Sequence, residues 1–468
     1  MKLAILTALL CLSIPLVAQA RPNFVIFVAD DMAWDDSGAY GHPSIRTPHI
    51  DKLAAEGIRF DRAYLTCSSC SPSRCSMLTG RFPHSTAAGE LHLPLPSDQV
   101  LFTTPLREHG YYTAAVGKWH LGNDAIAQMD LVKQGGGPGG EAFWVEVLHN
   151  RPKEKPFFLW LAATDPHRGY QSGAIDPPHK LTDVRVPVIF PDTSKVKEDL
   201  ALYYDEIGRF DEYIGKVVAE LKQQSVLDDT MILVVSDNGR PFPRCKTTIL
   251  EDGVKTPFIV RYPPLVKPGQ ATSSLVSSID IAPTVLELAG VDQLTSFQGK
   301  SFVPILQSPL AKTNLLVFSE HNWHDYQAFE RSVCSERYRY VRNWLPELPL
   351  TPPADAVRSP TYEEMQRLKT AGELTDPQEL LFTLPRPEEE LYDIRNDPHC
   401  LVNLLSTDIK NNENTLIALK HKALLDQWQN DTEDHFPGRE QLTPDGFDRQ
   451  TGERLPGVTF PHPSLKRE

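Results

Sequence analysis

Four hard oxygen donors occur in two short clusters far apart in the chain. Asp30 and Asp31 follow the apolar run Asn23–Ala29, and Asp237 and Asn238 sit in Ser236-Asp237-Asn238-Gly239 after a second apolar run. Carboxylate and amide oxygens suit Ca²⁺ or Mg²⁺, not Zn²⁺, which takes sulfur and nitrogen. A second set is cationic: Arg74, Lys118 and His120 (the last two in Gly117-Lys118-Trp119-His120), His167 in Asp165-Pro166-His167, and Lys246, with Lys255 as the alternative to it. Gathered in one place, these would make a pocket for an anion in a chain that is acidic overall. Cys70 opens Cys70-Ser71-Pro72-Ser73-Arg74, and a helix beginning near Pro72 would turn backbone N–H groups toward that anion. Asp35 and Asp36 follow the first acidic pair and are expected to be ordinary loop residues.

Bringing these residues together is the work of the elements between them. Residues 23–29, 111–116, 157–163 and 230–235 are continuous apolar runs rich in β-branched and aromatic side chains, the pattern of strands buried on both faces. Thr47, Pro48 and Gly57 punctuate one helix, and Gly290 stops another over 279–289. A long helix follows Thr193-Ser194, with Leu200, Tyr203, Tyr204, Ile207, Phe210, Ile214, Val217, Val218 and Leu221 on one face. Strands alternating with helices imply an α/β fold, a mostly parallel sheet with helices on both faces. Ligands of such sheets bind beyond the carboxyl ends of the strands. Four strand ends here carry acidic, cationic or imidazole groups. After about residue 315 the texture changes: 330–340 reads as a strand, 345–390 as a Pro- and charge-rich stretch, and 416–428 as a helix, together a smaller α+β subdomain.

Composition narrows the function further. The 468 residues are 41% hydrophobic and 23% charged, enough for a large core, and the net charge of −14 with no basic stripe excludes an ordinary nucleic-acid binder. Residues 1–20 read as a secretory signal: Lys2, an apolar stretch, then Ala18-Gln19-Ala20. No later stretch is long and apolar enough to span a bilayer, so the expectation is a soluble, secreted or periplasmic protein without membrane insertion. Seven cysteines are too few for a disulfide scaffold, and Cys67, Cys70 and Cys75 lack the second half of a zinc site.

The run Cys70-Ser71-Pro72-Ser73-Arg74-Cys75-Ser76-Met77-Leu78-Thr79-Gly80-Arg81 resembles the signature of type I sulfatases, C-x-P-S-R followed after three residues by L-T-G-R. The resemblance extends over the mature chain. It implies an alkaline-phosphatase-like fold, with residues 21–315 as catalytic domain and 316–468 as C-terminal subdomain. It implies that a formylglycine-generating maturation enzyme oxidises Cys70. It also implies that Asp30, Asp31, Asp237, Asn238 and the modified Cys70 bind the metal, usually Ca²⁺. In that pattern Arg74 and Lys118 hold the formylglycine oxygens, and Lys246 joins the metal at the sulfate. His167 or Lys246 protonates the leaving atom, and His120 is the base that expels sulfate. The family order, with the cation before Glu251-Asp252-Gly253, selects Lys246 over Lys255.

Within the family the chain is similar to heparan N-sulfatase (sulfamidase)-like members. Ser236-Asp237-Asn238-Gly239-Arg240-Pro241-Phe242-Pro243, Ser359-Pro360-Thr361-Tyr362, and Leu391-Tyr392-Asp393 with Asp397-Pro398-His399 carry that likeness. Lys246 departs from it, standing where the sulfamidase pattern has Arg, and residues 123–146 diverge. The implied substrate is a sulfate ester or sulfamate of a saccharide, with His92, His321, His324 and Arg331 as candidate sugar contacts. The alternatives are a phosphomonoester, phosphodiester or phosphonate monoester hydrolase of the same fold, and a catalytically inert glycan-binding protein.

Overall fold

The computed structural model describes residues 21–406 and 411–458, so the expected secretory signal at 1–20 lies outside the described residues. In chain order the strands are β1 Asn23–Ala29, β2 Ile58–Phe60, β3 Ala63–Tyr64, β4 Tyr112–Gly117, β5 Leu131–Gln134, β6 Phe157–Ala162, β7 Thr230–Ser236, β8 Phe258–Arg261, β9 Gln270–Thr272, β10 Val276–Ser277, β11 Val317–His321, β12 Glu330–Cys334, β13 Tyr338–Asn343 and β14 Glu389–Asp393. Eight form one sheet in the order β5-β4-β6-β1-β7-β8-β2-β9, in which β8 alone runs antiparallel to its neighbours. The middle strand β1 shows why the run is apolar throughout. Phe24, Ile26 and Val28 enter the core on one face, with the helices Cys70–Thr79 and Ile281–Ala289. Val25, Phe27 and Ala29 enter the core on the other, with Pro48–Glu56, Trp144–Asn150 and the long helix Ser194–Gln223. Each fully buried large side chain contributes roughly 1.5–3 kcal/mol, and this double burial fixes the register of the strands that carry the site.

The fold is thus a mostly parallel sheet between two helical layers, with a small antiparallel sheet β11-β12-β13-β14 appended. The helix Asn412–Asp431 covers that small sheet, placing Ala418, Leu425 and Trp428 on Val333, Tyr340 and Leu391. Several expectations change here. The stretch 330–340 is a hairpin and not one strand, because Ser335-Glu336-Arg337 is a polar turn closed by Ser335 N donating to Tyr338 O at 2.9 Å. The Pro-rich stretch contains the helix Pro360–Ala371, whose N-cap Ser359 accepts from Tyr362 N and whose Gly372 stops it at φ +69°. Thr361 Oγ1 donates to Asp199 Oδ2 at 2.6 Å, so this helix returns to the large layer and packs on the long helix. The helix expected near Pro72 begins two residues earlier, at Cys70. Among the described residues no helix is long and apolar enough to cross a membrane.

A buried ion pair ties the small sheet to the large one. Arg339 on β13 donates to Glu251 Oε1 from Nη2 at 2.7 Å and from Nε at 3.0 Å, and Tyr64 OH donates to Oε2 at 3.1 Å. Arg339→Met strands the Glu251 charge and is expected to lower stability by about 3–5 kcal/mol, whereas a well-packed apolar replacement of both partners costs far less. Urea unfolding of Arg339→Met and of Arg339→Met/Glu251→Leu measures this. A double variant no more stable than the single would show that the stranded charge is not the cause.

Candidate active site

The carboxyl ends of β4, β6, β1 and β7, neighbours in the sheet, deliver Lys118, the loop to His167, Asp30-Asp31 and Asp237-Asn238 to one place. Opposite them the helix Cys70–Thr79 starts at the site, with Cys70 in its first turn and Arg74 one turn on. That four-residue spacing sets both side chains on one helix face. Pro72 needs no N–H in this first turn. Gly80 ends the helix at φ +67°, where a Cβ would lie 2.7 Å from Phe297. The motif is therefore a start, a face and a stop.

Three buried carboxylates face three permanent cations. Arg74 donates to Asp237 Oδ2 from Nε at 2.7 Å and lies 3.6 Å from Asp30 Oδ1, with Nη1 on Lys118 O at 3.0 Å. Lys118 Nζ bonds Asp30 Oδ2, and Lys246 Nζ bonds Asp31 Oδ2 at 2.7 Å. Burial opposes the Asp30 charge, but Lys118, His167, Arg74 and Lys246 hold its carboxyl far below the usual range. Asp237 goes the other way, pushed up to about 6 by burial against the pull of Arg74. Burial also pushes the Cys70 thiol up to about 12, so the unmodified side chain is a protonated, poor nucleophile. His120 is pushed down to about 2 by burial and by Lys118, which keeps it neutral.

The chain is strained where it meets this cluster. Asp31, His92, His120, Thr247 and Asp325 all have positive φ, between +61° and +78°. Such backbone persists only when its surroundings hold it. Asp31 is held by its N–H on Asp237 Oδ1 at 3.1 Å.

The residues fit a hard divalent cation. Ligand atoms of Asp30, Cys70 and Asp237 lie within 4.8 Å of one another. Asp30 Oδ1 and Asn238 Oδ1 are buried without hydrogen-bond partners. Asn238 Nδ2 donates to Asp31 Oδ1 at 2.8 Å and to Asp237 Oδ1 at 2.7 Å, so positive hydrogens now occupy the point where the carboxylates converge. Turning the amide over would present its oxygen instead.

The sequence-expected residues divide. Asp30, Asp31, Cys70, Arg74, Lys118, His120, His167, Lys246, Asp237 and Asn238 come together. His92 and His324 join them at a cavity of about 330 Å³, His92 Nδ1 lying 2.8 Å from His120 Nε2, and His324 Nδ1 2.7 Å from Ser69 Oγ. His321 lines a neighbouring cavity instead, beside Tyr326, Arg386 and Arg449. Arg331 is not brought to the pocket: its Nη2 donates to Asp434 Oδ1 at 2.7 Å and it is 1% exposed. Lys255 lies over the Trp34 ring. Asp35 and Asp36 are loop residues, as expected, and both are paired. Arg240 Nη2 binds Asp35 Oδ1 at 2.6 Å and Asp36 Oδ1 at 3.0 Å, while Tyr203 OH donates to Asp36 Oδ2 at 2.7 Å, which braces the Asp31 loop. The pairing of Asp35-Asp36 with the Arg just after Asp237-Asn238-Gly239 was the available signal. Asp325, Asp355, Arg358 and Phe447 also line the pocket, and the sequence offers no sign of them. The six cysteines of the described residues are buried and unpaired.

The site is a charged pocket at the carboxyl ends of the strands of an α/β sheet. The Sulfatase family matches residues 22–135 and 142–291, more than half of the chain, and the chain belongs to that family: it is a sulfatase, a sulfuric ester hydrolase, of alkaline-phosphatase-like fold. A C-terminal family described as "N-sulphoglucosamine sulphohydrolase, C-terminal" matches 245–347. The chain is 32% identical to N-sulphoglucosamine sulphohydrolase of Homo sapiens, over 83% of this chain and 87% of that protein. It is 30% identical to an ulvan-active sulfatase of Formosa agariphila, over 87% and 74%. A solved structure in complex with its substrate D-glucosamine-2-N,6-O-disulfate shares the fold (TM-score 0.68, 20% identity, 89% of this chain and 99% of that one). So does a phosphonate monoester hydrolase of Agrobacterium radiobacter (TM-score 0.67, 16% identity, 88% and 96%).

A cation that binds only the folded cluster stabilises the fold by mass action, about 2.7 kcal/mol at a hundred times its Kd. Returning Ca²⁺ to chelator-treated protein is expected to raise its Tm, and Asp237→Asn to abolish most of that rise. A Tm indifferent to Ca²⁺ and Mg²⁺ would exclude the metal assignment.

Proposed function

We propose that this sulfatase is exported and hydrolyses sulfate from saccharides through formylglycine at position 70 and a bound divalent cation, with a terminal N-sulfoglucosamine as its first substrate. The observation that carries this is Cys70 at the start of its helix, with Arg74 and Lys118 on one side and Lys246 and His167 in the same pocket. Human N-sulphoglucosamine sulphohydrolase and the C-terminal family match support the N-sulfate. The ulvan-active relative keeps O-sulfated polysaccharide fragments as the second substrate class.

The hydrated aldehyde supplies two hydroxyls on one carbon, one to attack sulfur and one to release sulfate afterwards. Asp30, Asp31, Asp237 and Asn238 would hold Ca²⁺, or Mg²⁺, which supplies positive charge to the sulfate oxygens. Arg74 and Lys118, each anchored on a carboxylate, fix the residue-70 oxygens. Lys246 spends one hydrogen on Asp31 and keeps two for the anion, where charge grows in the transition state. His167 Nδ1 lies 3.1 Å from Arg168 O, which places the proton on Nδ1 and leaves Nε2 facing the pocket to carry a proton to the leaving atom. His120, held neutral, takes the proton when sulfate departs.

Three measurements test this. In cells with a maturation enzyme, peptide mass spectrometry is expected to show Cys70 as the aldehyde while Cys67 and Cys75 stay thiols; full activity with unmodified Cys70 would sink the mechanism. Sulfate release from N-sulfoglucosamine is expected to exceed that from O-sulfated oligosaccharides. Release only from O-sulfated sugars would remove the N-sulfate, and a higher kcat/KM on an aryl phosphate than on its sulfate twin would favour a phosphohydrolase.

A further inference from the structure

A carboxylate stands on the leaving-group side of this anion pocket. Asp355 lies in the short helix Ala354–Val357, contributed by the C-terminal part of the chain. Its Oδ1 accepts from Ala356 N at 2.7 Å. Its Oδ2 is buried, and no hydrogen-bond donor of the described residues reaches it. His167 Nε2 lies 3.7 Å from it, the same nitrogen that lies 3.8 Å from Asp31 Oδ2. Asp355 lines one cavity with Cys70, Lys118 and Lys246. Burial alone would raise its carboxyl, but Lys246, His167 and Arg168 outweigh burial and hold it below the usual range. A fixed negative charge beside a site for anions works against binding unless the substrate brings positive charge, or donor hydrogens, to that point.

Sulfamates bring both. Cleavage follows R–NH–SO₃⁻ + H₂O → R–NH₃⁺ + SO₄²⁻: the S–N bond breaks, its electron pair stays on nitrogen, and the nitrogen gains protons and positive charge. A sulfate ester leaves instead as a neutral alcohol, R–OH, releasing its proton with the sulfate. The two reactions differ by one unit of charge on the leaving atom, at the place where His167 delivers its proton and Asp355 waits with an unpaired oxygen.

We propose that Asp355 is the specificity-determining residue that favours a nitrogen leaving group, its Oδ2 accepting a hydrogen bond from the nitrogen as it becomes an ammonium. This rests on the reading of His167 as the leaving-group acid and of the substrate as a sulfated sugar. N-Sulfoglucosamine and glucose 2-sulfate differ only in the atom that leaves, so their kcat/KM ratio isolates the effect. The unsubstituted enzyme is expected to favour nitrogen, and Asp355→Asn to shrink that preference about 10–100-fold, as loss of one partly screened charge contact implies. Equal losses on both sugars, or an unchanged ratio, would overturn the proposal, since a carboxylate that merely orients His167 serves both substrates alike. A second arm does not depend on turnover. Calorimetry at pH 7 should show glucosamine binding more tightly than glucose, with the advantage gone in Asp355→Asn. Equal binding of the two sugars to the unsubstituted protein would overturn it as well. Failure of both sugars to release sulfate would remove the substrate reading, while the binding arm still decides Asp355.

Discussion

Three carboxylates that converge out of contact with water repel one another, and the site is organised around that repulsion. Asp30, Asp31 and Asp237 are at most 1% exposed, as is Asn238 among them. Left alone they would protonate or unfold the loops that carry them. Instead each is matched, Asp30 by Lys118, Asp31 by Lys246 and Asp237 by Arg74. The three permanent cations only balance the three carboxylates, so an anionic substrate needs further positive charge. A divalent cation and the helix start at Cys70 would supply it. In the proposed mechanism, binding an anion and binding a metal would therefore share one electrostatic origin.

The fold divides this task by rigidity. Charges that must not move sit at the ends of β1, β4 and β7, strands with both faces packed. The remaining wall of the pocket, with Asp325, Asp355, Arg358 and Phe447, comes from loops and short turns of the C-terminal part. The Arg339–Glu251 pair and the helix Pro360–Ala371 hold that part against the large sheet. A common sulfur chemistry can thus stay fixed while the wall beside the leaving group changes.

What could be read from the sequence follows the same division. The strand runs and the long helix were legible because burial on two faces, or on one stripe, writes itself into consecutive residues. Asp30, Asp31, Lys118, Asp237 and Asn238 were legible because they follow the ends of those runs. Asp355 was not, because it lies in a Pro-rich stretch with no period, and its place depends on Thr361 bonding Asp199 far away in the chain. Arg331 misled for the opposite reason. It is a charged residue in a plausible region, but its partner Asp434 follows it by 103 positions and no local pattern announces the pair. Asp36 lies in a loop as expected, but its partners Arg240 and Tyr203 come from other elements and no local pattern announces them.

Lys246 shows how the charge constraint can outlast a change of residue. The sulfamidase pattern has Arg there, and a planar fork would grip Asp31 through two parallel bonds. An ammonium keeps the charge that balances Asp31 but makes one contact, at 2.7 Å, and is 1% exposed. Its burial is tolerated because Asp31 holds its pKa well above the usual lysine value against the pull of desolvation. The compact head leaves two hydrogens free to turn toward a sulfate oxygen, and it occupies less of the pocket than a guanidinium would. Charge balance at the carboxylates is kept, and the difference between the two residues falls on the space and donors offered to the substrate.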